Sequence, residues 1–171
     1  MKIAIISDIH DNLANLERCL DWCNGEQIAT LICCGDVANA ESVDFLAKRF
    51  KGMIHLLMGN ADNYDEAIIN SYPNIKFYDR KGGKMVINGK KVGFCHEPYH
   101  IKHLFHQAKF DLVFYGHTHK PWESEEHGVR LINPGTLGGV FYMASFAVWD
   151  AAEDKLELKI LEELPYGKDK Y

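Results

Sequence analysis

The sequence has no apolar stretch approaching the roughly 20 residues that a membrane-spanning helix needs. Its opening run, Lys2-Ile3-Ala4-Ile5-Ile6, is too short for the hydrophobic core of a secretory signal and meets charge at Asp8. Basic residues are outnumbered, 19 against 24 acidic, which leaves a net charge of −5. A strong nonspecific grip on nucleic acid is therefore not expected. A phosphate substrate stays open, because a bound divalent cation reverses the sign of a site locally. Cysteine is scarce and odd in number: five residues without the spacing of a disulfide framework. Cys33 and Cys34 lie inside an apolar run, as buried thiols of a reducing compartment do. Cys19 and Cys23 sit in a helical pattern beside Leu20 and Trp22 and read as core thiols rather than zinc ligands. No linker, repeat or low-complexity segment divides the 171 residues. These absences predict a cytoplasmic protein with one domain over residues 1–164 and a frayed polar tail over 165–171.

What is present is a short apolar run, repeated, each time ending at a polar residue. Ile3 to Ile6 ends at Ser7-Asp8, Leu31 to Cys34 at Gly35-Asp36, and Met53 to Met58 at Gly59-Asn60. Val92 to Cys95 ends at His96, Leu112 to Tyr115 at Gly116-His117, and Val129 to Ile132 at Asn133-Pro134-Gly135. Runs of this length, rich in Ile, Val and Leu, predict buried strands. Between them, Leu13, Leu16, Leu20 and Cys23 recur at helical spacing behind a capping Asn12. Val43, Leu46, Ala47 and Phe50 repeat the pattern, and Pro98 suits the first turn of a third helix. Met85 to Val92 predicts a hairpin turned at Asn88-Gly89, and Val140 to Trp149 with Leu156 to Ile160 predicts two further strands. Parallel units followed by antiparallel additions favour a two-sheet α/β sandwich.

Ligands in open α/β sheets bind beyond the carboxyl ends of the parallel strands. The residues brought there would be Asp8, His10, Asp36, Asn60, His96, His117 and His119. Two carboxylates, one amide oxygen and four imidazoles form a donor set for Mn, Fe, Zn or Ni. Seven donors are too many for one ion and suit two that share a carboxylate. Each piece alone is weak: Asp8 can cap a helix, and Gly35-Asp36 or Gly59-Asn60 can be a plain turn. Their joint placement at successive strand ends carries the inference. His100, His103 and His106 read instead as exposed helix residues, while Tyr64, Tyr99 and Trp122 read as exposed aromatics of a cleft or a subunit interface.

In this order the motifs Asp8-Ile9-His10, Gly35-Asp36, Gly59-Asn60-Ala61-Asp62, His96 and Gly116-His117-Thr118-His119 resemble the calcineurin-like metallophosphoesterase family. The resemblance is to its small bacterial and archaeal phosphodiesterase branch. It implies a four-layer α/β/β/α sandwich, two mixed sheets flanked by helices. It also implies one divalent ion held by Asp8, His10, Asp36 and His119, and a second held by Asp36, Asn60, His96 and His117, with manganese the first expectation and nickel, iron or zinc the alternatives. A metal-bridging hydroxide would then attack the phosphorus of a small phosphate ester, with Asn60 and His96 contacting the transition state. Ala61 departs from the pattern, since many members carry His there and others Cys. Asp62 is then either a substitute proton donor or a hydrogen-bond acceptor behind the ligands. Alternatives are a phosphomonoesterase, a nucleotide pyrophosphatase, or a scaffold like the retromer subunit that shares this fold. A homo-oligomer is compatible with any of these.

Overall fold

Alternate residues of the central strands, buried at nearly every position, pack into different cores on the two faces of their sheets. The computed structural model describes residues 1–165. The first half alternates β1 (Lys2–Ile6), α1 (Leu13–Gly25), β2 (Thr30–Cys33), α2 (Ala40–Arg49), β3 (Met53–Leu57), a single turn α3 (Glu66–Ile69) and β4 (Ile75–Tyr78). The second half runs β5 (Gly83–Ile87), β6 (Lys90–Phe94), α4 (Tyr99–Gln107), β7 (Leu112–Phe114), β8 (Trp122–Glu126), β9 (Val129–Asn133), β10 (Ser145–Asp150) and β11 (Lys155–Ile160).

These strands form two mixed sheets. The first has the order β11-β10-β1-β2-β3-β4, with β1 to β4 parallel and β10 and β11 antiparallel additions. The second has the order β5-β6-β7-β9-β8, where β6, β7 and β9 are parallel and both edge strands antiparallel. Ile3, Ile5, Ile32, Cys34 and Trp149 face Val92, Phe94, Leu112 and Phe114 across the space between the sheets. The alternate residues Ala4, Ile6, Leu31, Cys33, Ile54 and Leu56 face α1 and α2, which bury Leu16, Cys19, Leu20, Val43 and Leu46. On the far side, Ile101 and Leu104 of α4 cover Val113 and Leu131. Three apolar layers thus separate four layers of structure, as the resemblance implied. Truncating a fully buried Phe114 or Trp149 to Ala would cost about 3–5 kcal/mol, since little around it can collapse.

Local signals act as expected at several points. Asn12 accepts from Asn15 N at 3.1 Å and caps α1. Asn88 and Gly89 turn the β5–β6 hairpin with φ of 49° and 79°. All five cysteines are free and buried. Two expectations need correction. The strand expected from Val140 begins only at Ser145, because Gly139 and Phe141 take left-handed φ values of 76° and 66° that extended backbone cannot contain. Tyr64 is not an exposed aromatic; it is half-buried and packs against the helix-side core. Tyr99 and Trp122 are exposed. The expected frayed tail falls, apart from Pro165, outside the described residues.

Candidate metal centre

Asp8, Asp36 and Asn60 follow β1, β2 and β3 in the first sheet, and His96 and His117 follow β6 and β7 in the second. All leave at the carboxyl ends of parallel strands, so the two sheets deliver their polar residues to one rim. The loops interlock through their backbones: Asp8 N donates to Gly35 O, and Ile9 N and His10 N both donate to Asp36 O. Asp8, His10, Asp36, His117 and His119 all have φ between 47° and 69°. Left-handed backbone at non-glycine residues is costly and gathers where surrounding structure fixes a site. Gly35 and Gly59 allow the loops to touch. A Cβ on Gly35 would lie 2.8 Å from Gly59 Cα, and one on Gly59 would overlap the Asp36 carboxylate.

All seven predicted donors meet. His119 Nε2 lies 3.2 Å from Asp8 Oδ1 and 3.2 Å from His10 Nε2. His96 Nε2 lies 3.2 Å from Asp36 Oδ2 and 2.9 Å from Asn60 Oδ1. His117 Nδ1 reaches the same Asn60 oxygen at 2.8 Å. Asp36 Oδ2 stands between the halves, 3.2 Å from His96 and 3.9 Å from His10. Asp8 also spans them, since it groups with His10 and His119 and again with Asp36 and His96.

The partners of the outer ring nitrogens decide how these groups are loaded. His96 Nδ1 is 2.8 Å from Cys34 O and His119 Nδ1 is 3.3 Å from Val140 O. A carbonyl only accepts, so Nδ1 carries the proton in both rings and Nε2 turns a lone pair inward. With Nε2 unprotonated, His96 Nε2, Asn60 Oδ1 and Asp36 Oδ2 are three electron-pair donors facing one another, a cluster suited to a cation. Asp8 Oδ1 is buried and accepts no hydrogen bond, although Asp8 Oδ2 accepts from His117 N at 3.0 Å. A buried carboxylate oxygen without a hydrogen bond is costly unless a cation completes it. The donor set therefore fits divalent metal.

Ionisation follows the same logic. Burial raises the Asp8 carboxyl above its ordinary value, and His96, Ser7 and His119 offset this only in part. Burial works the same way on Asp36, but the His96 ring and the Ala61 N–H outweigh it and hold the carboxyl below the usual range. Burial disfavours a charge on His96, yet the Asp36 and Asp8 carboxylates prevail and raise its pKa.

Asp62 turns out to be an anchor. Its Oδ2 accepts from Asp36 N at 3.1 Å and Gly59 N at 2.6 Å, and its Oδ1 from Ala38 N at 2.7 Å. Both oxygens thus accept from main chain, the arrangement expected of a hydrogen-bond acceptor behind the ligands. Two supports were not assigned from sequence. Asn133 Nδ2 donates to Gly116 O at 2.9 Å and to Thr118 Oγ1 at 3.0 Å, which pins the loop carrying His117 and His119. Thr136 Oγ1 donates to Asp8 O at 3.0 Å. The Asn133-Pro134-Gly135 turn was the visible signal for the first; nothing in the sequence marked the second. His103 and His106 are exposed on α4 as expected, while His100 is half-buried against Tyr99.

The model of the calcineurin-like phosphoesterase superfamily domain matches residues 1–154. The chain belongs to the calcineurin-like phosphoesterase superfamily. It is, in that superfamily, a phosphoric ester hydrolase of the small archaeal and bacterial branch. It is 29% identical over 154 residues to phosphodiesterase MJ0936 of Methanocaldococcus jannaschii, covering 81% of this chain and 86% of that one. Among solved structures, an archaeal phosphodiesterase superposes with a TM-score of 0.83 at 24% identity, covering 94% of this chain and 99% of that one. Vps29 of Entamoeba histolytica, solved with zinc, superposes at 0.68 with 20% identity over 92% of this chain and 90% of its own. These superpositions show that the fold is that of the metallophosphoesterases. No helix among the described residues is long and apolar enough to cross a membrane.

Proposed function

We propose that the protein is a metal-dependent phosphodiesterase acting on a small phosphate ester, its residues 1–164 forming one cytoplasmic domain. The observation that carries this reading is the convergence of the seven donors in two groups that share Asp8, whose Oδ1 is buried and accepts no hydrogen bond. Two divalent ions, manganese first and nickel, iron or zinc otherwise, would be held by Asp8, His10, Asp36 and His119 and by Asp36, Asn60, His96 and His117. Such a pair supplies charge neutralisation for phosphoryl oxygens and a water acidic enough to attack at neutral pH.

The chain's own contribution is orientation. Asn60 Oδ1 is turned towards His96 and His117, so its NH2 group would be left to donate to a phosphoryl oxygen. No side chain takes the place of a proton donor at position 61, where Ala61 offers only a methyl group, and Asp62 is tied to backbone. Esters with weakly basic leaving groups are the substrates that suit such a site.

The test is hydrolysis of bis-p-nitrophenyl phosphate against p-nitrophenyl phosphate after chelation and manganese return, for the native chain and Asp36→Asn. Diester hydrolysis that returns with metal and disappears in the variant supports the reading. Preference for the monoester moves it to a phosphatase. Folded, metal-binding protein without activity on either overturns it. Vps29-like folds give a scaffold as the second reading, and failure to retain any divalent metal would favour it.

A further inference from the structure

Beside the centre, the loop from Leu137 to Ala144 is anchored along one side and bare along the other. Leu137 N donates to Ser7 O and Gly138 N to Asp8 O, both at 2.9 Å. Asn12 and Asn15 side chains donate to Gly138 O and Leu137 O at 3.0 and 2.9 Å. The Val140 carbonyl takes the Nδ1–H of His119. These bonds fix the next residue, Phe141, against the rim of the site. Its ring centroid lies 5.8 Å from that of His119, tilted by 34°.

Phe141 is 90% exposed and has a φ of 66°. A large aromatic in solvent contributes almost nothing to the core, and left-handed backbone at a phenylalanine costs conformational energy. Such a cost, held in place by bonds to the metal-centre loops, points to function rather than to folding. Its ring adds apolar surface beside His119, in a site whose other groups are polar.

We propose that Phe141, beside His119 at the edge of the centre, receives an aromatic ring on the arm of the substrate that stays on phosphorus. The preferred esters are then phosphodiesters carrying an aryl or heteroaryl substituent. This rests on the phosphodiesterase reading and narrows it to a substrate class. Ring-on-ring contact at a partly exposed site discriminates by about tenfold or somewhat less.

The experiment holds the leaving group constant. Bis-p-nitrophenyl phosphate and methyl p-nitrophenyl phosphate both release nitrophenolate and differ only in the group that stays behind. In the manganese-restored enzyme, Phe141→Ala should lower the ratio of kcat/KM for the diaryl over the methyl ester about tenfold, chiefly through KM. Phe141→Tyr should restore the ratio. Calorimetric titration should show the same selective loss for phenylphosphonate against methylphosphonate. An unchanged ratio, with both esters slowed equally or neither slowed, overturns the proposal and leaves the phosphodiesterase reading standing. So does a dimer of the native chain that Phe141→Ala dissociates with no change in ratio, which would give the loop to a second copy. Hydrolysis of neither ester by the native enzyme overturns the phosphodiesterase reading instead, and the phosphonate titration then reports the ring contact alone.

Discussion

The ring of His96 donates from Nδ1 to the main-chain oxygen of Cys34, 2.8 Å away, and so ties the end of β6 in one sheet to the end of β2 in the other. That single bond fixes the tautomer, aims Nε2 at Asp36 and Asn60, and bridges the two sheets at the rim. His96→Ala should therefore remove a ligand and a strut together. The expected result is a loss of at least about 100-fold in diesterase activity with a lowered metal content, read by atomic absorption after gel filtration.

Asp62 should behave differently from the ligands. It is buried and accepts three main-chain N–H bonds, so Asp62→Ala strands three donors. The expected loss is about 2–4 kcal/mol, read from urea unfolding. Asp62→Asn keeps one accepting oxygen but turns an NH2 towards the remaining N–H, and should fall between. A proton donor would instead show as an altered pH–rate profile at unchanged stability.

Gly59 is a purely steric test. An added methyl group would overlap both the carboxylate and the backbone nitrogen of Asp36. Gly59→Ala should displace Asp36 and lower manganese retention and activity together, by tenfold or more, roughly the penalty of misplacing a ligand. Retained metal and activity would mean that the two loops can part without consequence.

Asn133 tests the support behind His117 and His119. Removing its amide takes away the bonds to Gly116 O and Thr118 Oγ1 and leaves the buried Gly135 N–H without its acceptor. Asn133→Ala should cost about 2–3 kcal/mol and reduce kcat more than it raises KM.

His55 supplies a pH dependence remote from the centre. Its ring lies between the sheets at 2.9 Å from Tyr78 Oη, and burial together with Lys76 lowers its pKa to about 4. The folded protein thus binds this proton less readily than the unfolded chain, whose imidazole titrates near 6.5. The stabilisation is complete above pH ~6.5 and drains away as pH falls towards ~4. It amounts to on the order of 1 kcal/mol, because the ring is only partly shielded. Urea midpoints of the native chain and His55→Leu should diverge across that window and run parallel above it.

The strands that hold the centre were legible because they are buried on both faces. Ile3 to Ile6 and Leu31 to Cys34 must be apolar at every position, so each polar residue ending them stands out. β8 was not legible. Its sequence Trp-Glu-Ser-Glu-Glu carries no apolar alternation, as suits a charged edge strand whose pairing with β9 holds it. Residues 140–143 misled in the other direction: Val-Phe-Tyr-Met has strand propensity, yet the anchored Gly138 and Gly139 turn it into a loop. The donor set could be read from strand ends alone. The partners of Asp62 and the anchoring by Thr136 could not, because they depend on which main-chain groups lie across from them once both sheets are packed.

The five thiols have a practical consequence. Every one is buried, and burial pushes Cys95 up to about 12 and raises Cys19, Cys33 and Cys34 as well. Maleimides attack thiolates that solvent can reach, so the folded native chain should resist them. A single cysteine placed on the exposed β10–β11 turn, as in Glu153→Cys, would then be the one labelled position. The molecule accepts a site-specific fluorophore without first being stripped of its own sulfur.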